Sequence, residues 1–310
     1  MSEIQINRIS EITENYQDEI RFLAQAAYVA YPVYDKNSKI TNPTLEEFDF
    51  KKWLYGATPL SQDVHNEPFV AVFQSKTNTN EWLLAFKGSA TIWDWWEDFK
   101  FDFADFPFFN NNKKKSNLQT EQGFKDIYTT VVSSQIGSLQ HQLFDFVNND
   151  NPRQLIIAGH SLGSALAEMF TYDLLKCGGD LIPKQISHIN YACPKVFNYY
   201  SALDFRSLLN ANFTVLRIVN QHDLVPKLPE IGEEQISFCY YHATDYFLMD
   251  FWEKYESLPD HFYVYHSIVN YKNVLNTINM TLPISYPQKG ECRGIKSVTE
   301  HTILEYDIPS

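Results

Sequence analysis

Apolar and polar residues alternate along this chain with a period that changes from segment to segment, and each change marks an element. Ile20, Leu23, Ala24, Ala27 and Tyr28 recur at helical spacing and predict an opening helix within residues 11–30. Residues 31–67, rich in Pro, Asn and Asp, read as a loop holding a short helix near Leu45–Leu54. Phe69–Gln74 and Trp82–Phe86 then predict a β-hairpin that turns at Thr77–Asn80. Over Ala90–Phe99 a helical wheel gathers Ile92, Trp95, Trp96 and Phe99, with Asp94, Glu97 and Asp98 towards the other side. A short amphipathic helix of this kind either packs on the core or lies as a lid over an apolar cleft. Phe99, Phe101 and Phe103 alternate with Lys100, Asp102 and Ala104 as in a strand, and Asn110–Asn117 is a solvated loop.

Gly123–Asn148 predicts a long helix that buries Ile127, Val131, Leu139, Leu143 and Val147, with Gly137 as the place for a break. Leu155–Ala158, Ile186–Ala192 and Phe213–Asn220 read as strands, and Ser267–Ile278 as a late helix. The tail from Pro283 is irregular. Strands alternating with helices predict a single α/β domain over residues 1–310, built on a mostly parallel sheet.

The densest chemistry lies at Gly159-His160-Ser161-Leu162-Gly163, between a predicted strand and a predicted helix whose apolar face holds Ala165, Leu166, Met169, Phe170 and Leu174. A strand that passes straight into a helix through G-x-S-x-G is a nucleophile elbow. The turn must be tight enough to expose a serine hydroxyl, which explains small residues at Gly159, Gly163 and Ala165. The helix start aims its amides at the place where an oxyanion would form. A serine needs a base, and the base an orienting acid; in α/β-hydrolases these follow the serine in that chain as acid, then histidine. Asp223 sits where a predicted strand ends. His242, His261 and His266 follow it; His242, inside an aromatic segment, reads as a structural hydrogen-bonding residue, and the residues alone do not separate His261 from His266.

Composition narrows the partners. A formal charge of −13 argues against nucleic acid and against electrostatic docking on anionic lipid. The four cysteines have no metal-site spacing and read as scattered thiols. No apolar window reaches membrane-spanning length. The start MSEIQINRIS has no apolar stretch of the signal-peptide kind, which leads to the expectation of an intracellular chain, or of a secreted one whose leader is absent.

Taken together, these motifs resemble the class 3 (fungal-type) lipase family from about Trp82 to Tyr271. Phe86-Lys87-Gly88-Ser89 is similar to the family's F-R-G-S/T strand end, and Ile92, Trp95 and Asp98 fall where its lid has an apolar residue, a tryptophan and an aspartate. Glu121-Gln122-Gly123-Phe124 resembles H-x-G-F, with Glu121 in place of the usual histidine, and Ser164 stands where glycine is common. Tyr191–Asn198 resembles F-G-x-P-R-V-G-N, and Arg217–Pro229 resembles the segment that carries the family's acid. His266–Tyr271 fits the family's H-S/D-x-x-x-Y form, whereas His261 fits neither of its forms. The resemblance implies an α/β-hydrolase fold with a lid helix over Ile92, Trp95, Trp96 and Phe99. It implies a Ser161–Asp223–His266 triad, and an oxyanion hole at the amides of Ser89 and Leu162. It also implies a triacylglycerol lipase-like ester hydrolase, with phospholipase A1 or soluble-ester esterase as the alternative and a non-catalytic lipid-binding relative as the reading from another class. Such an enzyme meets a lipid or ester substrate at a transient lipid–water interface and needs no metal or organic cofactor.

Overall fold

The computed structural model describes residues 17–58, 65–89, 102–109, 117–229, 240–249 and 265–276, together with the backbone pairing of 251–252 with 304–305. The chain opens with a helix over 17–29 (α1) and runs into β1 (Phe48–Thr58), β2 (His65–Ser75) and β3 (Glu81–Phe86). Two short strands, β4 (Phe103–Asp105) and β5 (Gln119–Glu121), pair with each other outside the main sheet. After them come α2 (Gln122–Thr129), α3 (Leu139–Asp150), β6 (Gln154–His160) and α4 (Leu162–Cys177). β7 (Gln185–Tyr191), α5 (Tyr199–Leu208), β8 (Phe213–Asn220), β9 (Asp245–Met249) and α6 (Ile268–Leu275) complete the order.

The seven-stranded sheet runs β1-β2-β3-β6-β7-β8-β9. β1, β2 and β3 pair antiparallel, and every pairing from β3 to β9 is parallel. A parallel strand is covered on both faces, which is why these strands read as unbroken apolar runs. Val70, Val72, Leu84 and Ile157 face one core with Leu143, Phe144, Leu166 and Phe170. Ala71, Phe73, Leu83, Ala85 and Ala158 face a second core with Leu23 and Ala27 of α1 and Tyr271 and Val274 of α6.

The structure corrects two expectations. Where a short helix near Leu45–Leu54 was predicted, β1 forms instead. Its register slips between Phe50 and Lys52 and again between Leu54 and Tyr55. Two such irregularities hide the period of two, and Tyr55 trades ladder bonds for a pair with the Gln142 side chain of α3, at 2.9 and 2.7 Å. The long helix over Gly123–Asn148 is in fact two, α2 and α3. Gly137 takes φ 78° in the connection, and Ser138 caps α3 by accepting from the His141 amide. Val131, expected in the core, lies in that connection and is 57% exposed.

Beneath the carboxyl ends of β7 and β8 a polar chain crosses the core. Thr171 donates to His188 Nδ1 (3.0 Å), His188 Nε2 donates to Asn190 Oδ1 (2.8 Å), and Asn190 Nδ2 donates to Glu168 (3.3 Å). Arg217, also buried, is held by Thr244 at 3.2 and 3.1 Å.

Candidate active site

β6 ends at His160, and Ser161 turns the chain with φ 57° and ψ −128° before α4 begins at Leu162. A non-glycine residue here is strained, and the surroundings must hold it. They do so from two sides. The Ser161 amide donates to Tyr191 O at 2.9 Å, and the Ser164 hydroxyl donates to the same carbonyl at 3.1 Å. A Cβ on Gly163 would sit 2.4 Å from Lys87 O, so the backbone leaving β3 lies directly against the first turn of α4. Among the described residues the buried Ser161 Oγ has no hydrogen-bond partner.

Asp223 follows β8 in a turn closed by its own amide on Asn220 O at 3.0 Å. The residue is 1% exposed, so its carboxylate oxygens must be met by donors from the protein. Val225 N–H donates to Oδ1 (3.0 Å), Tyr271 O–H donates to Oδ2 (2.9 Å), and His266 Nδ1 lies 2.9 Å from Oδ2 and 3.1 Å from Oδ1. A carboxylate only accepts, so His266 carries its proton on Nδ1 and leaves Nε2 as the acceptor. Tyr271 in turn accepts from Asn220 N–H at 2.8 Å, tying the Asp223 loop to α6.

Ser89 follows β3, half-buried, on the backbone stretch that lies against the elbow. Leu162 is the first residue of α4, where helix geometry leaves an amide without an intrahelical acceptor. His242 is buried and donates from Nε2 to Pro226 O at 2.8 Å. Glu121 accepts from the Gly123 and Phe124 amides at 2.9 and 2.8 Å, capping α2. Burial above all pushes this carboxyl up to about 8; the two amides pull it down, and Asp126 and Asp102 push it up further. The lid residues predicted at Ile92, Trp95, Trp96 and Phe99 lie outside the described residues, as does His261.

Two features were not anticipated. Tyr271 entered the sequence reading as a motif position and on the face of the late helix, with no role at the acid, yet it binds the Asp223 carboxylate. His160 Nε2 lies 2.7 Å from His266 O, and its Nδ1 lies 2.6 Å from the Tyr31 hydroxyl. Nothing in the loop-like segment that begins at Tyr31 signals such a contact.

A parallel sheet led by antiparallel strands, with a strained serine between β6 and α4, is the α/β-hydrolase fold. The solved lipase II from Rhizopus niveus shares it with a TM-score of 0.53 over 76% of this chain and 82% of that one, at 22% identity. Residues 83–233 match the family described as Lipase (class 3). The chain is 31% identical over 175 residues to the chloroplastic phospholipase A(1) DAD1 of Arabidopsis thaliana, an alignment spanning 53% of this chain and 38% of the relative. It is 27% identical over 220 residues to the galactolipase DONGLE of the same plant, across 63% and 45% of the two chains. This chain thus spans less than half the length of these two relatives.

Proposed function

We propose that this chain is a serine ester hydrolase of acyl lipids, with Ser161 as nucleophile, His266 as general base and Asp223 as its orienting acid. His266 Nε2 takes the hydroxyl proton as Ser161 Oγ bonds to the ester carbonyl carbon. The amides of Leu162 and Ser89 receive the oxyanion, and Asp223 steadies the imidazolium. The alcohol leaves with the proton from His266, and a water deprotonated by the same ring then splits the acyl-enzyme. The observation that carries this reading is the buried His266–Asp223 pair, 2.9 Å apart, whose histidine backbone is bonded to the neighbour of a strained elbow serine.

Ser161→Ala, assayed on a soluble p-nitrophenyl ester, is expected to lose turnover by roughly a millionfold. Wild-type turnover in that variant refutes the assignment. The relatives named phospholipase A(1) and galactolipase favour a polar-headed lipid over triacylglycerol as a second reading. Release of fatty acid from phosphatidylcholine, galactolipid and triacylglycerol dispersions at equal acyl concentration decides between them.

A further inference from the structure

A chain of hydrogen bonds and close contacts joins the two arms of the proposed site through Tyr31 and His160. His266 O can only accept, so His160 Nε2 carries a proton and donates to it across 2.7 Å. Burial, and then the neighbouring His266, hold the His160 ring well below the usual histidine range, so it has one proton and Nδ1 is an acceptor. Tyr31 therefore donates its O–H to Nδ1, at 2.6 Å. The same phenol oxygen lies against Gly88, the residue before Ser89. The contact is close on all sides. A Cβ on Gly88 would fall 2.5 Å from the Tyr31 oxygen, 2.8 Å from His160 O and 2.9 Å from Ser161 Cβ. The His160 and His266 rings lie 4.8 Å apart.

We propose that Tyr31 and His160 are positioning residues, a hydrogen-bonded strut that fixes the loop of the base against the strand end carrying the oxyanion-hole serine. This rests on the reading of Ser161, Asp223 and His266 as a triad. The strut acts on orientation alone, so its loss lowers turnover and leaves substrate binding in place.

The test measures kcat and KM on a soluble p-nitrophenyl ester, and the rate of phosphonylation by a fluorophosphonate probe, for Tyr31→Phe, His160→Leu and His160→Gln. A glutamine amide reaches the place of imidazole Nε2 and still donates to His266 O. The expected result is a kcat lowered about 10-fold in Tyr31→Phe and about 100-fold in His160→Leu, with KM within twofold. His160→Gln recovers to within about fivefold of wild type, and phosphonylation follows kcat. If His160→Leu fails to fold, Tyr31→Phe and His160→Gln carry the test. Wild-type kcat in Tyr31→Phe overturns the strut, as does an equal loss in His160→Gln and His160→Leu. Ser161→Ala, run alongside, separates the failures: its inactivity keeps the triad standing when the strut falls, and its activity removes both.

Discussion

At the scale of single residues, the site is held by conformations and bonds that favour function over stability. Ser161 keeps φ 57° and ψ −128°, a region that only glycine enters without strain. Ser161→Gly is therefore expected to raise stability by about 1 kcal/mol while ending ester hydrolysis, as read by urea denaturation alongside an esterase assay. Tyr271 is one of several donors around Asp223, with Val225 and His266 remaining when its hydroxyl is removed. Tyr271→Phe thus leaves the carboxylate partly satisfied and costs about 1–2 kcal/mol, with turnover down about 10-fold. Chemical denaturation and steady-state kinetics on one preparation check both figures. Ser164, where the family commonly has glycine, takes a definite role: its hydroxyl bonds Tyr191 O next to the elbow amide on the same carbonyl.

Among the elements, the end of β3 lies directly against the first turn of α4. Gly163 lies in a helix, where alanine would ordinarily gain about 1 kcal/mol. Here the added methyl meets Lys87 O at 2.4 Å, Lys87 C at 2.6 Å and Phe86 O at 2.6 Å, all of them backbone. Overpacking against an unyielding main chain outweighs the propensity gain. Gly163→Ala is expected to lose about 3 kcal/mol, measured by thermal unfolding, with esterase activity reduced because Ser89 moves away. The hairpin of β2 and β3, the elbow strand and helix, and β7 and β8 were all legible in the sequence, since each carries its own period. β1 was not, because its two register slips break that period, and only pairing with β2 makes it a strand. The division between α2 and α3 rests on one glycine in the left-handed region and one serine cap, signals easily overrun by the apolar spacing on either side.

For the molecule as a whole, buried titratable groups set opposing pH dependences. His160 and His242 are held well below the ordinary histidine range by burial, and His188 is pushed down to about 4. The unfolded chain binds the protons these rings refuse, so their contribution is complete above about 6.5 and lost as pH falls. Burial raises the carboxyls of Glu121 to about 8 and Glu168 to about 7. Here the folded chain binds more protons than the unfolded one, so stability is present below about 4.5 and lost as pH rises through 7 and 8. Above 6.5 the histidine contributions are flat and the carboxyls alone give a slope, each up to about 1.4 kcal/mol per pH unit. Melting temperature should therefore drop from pH 6.5 to 9, and Glu121→Gln should flatten that drop while keeping an acceptor for the cap of α2. An unchanged slope in the variant would show that Glu121 is ionised throughout.

The sequence by itself determined what neighbours in the chain can encode: the apolar runs of the parallel strands, the small residues of the elbow, and a short set of candidates in Ser161, Asp223 and the late histidines, among which the family resemblance favoured His266. Tertiary structure decided what depends on residues far apart. It brings His266 to Asp223 across 43 positions and Tyr31 to His160 across 129. Periodicity reports which face of an element is buried, whereas a hydrogen bond between loops depends on how sheet and helices seat those loops, and no local pattern carries that.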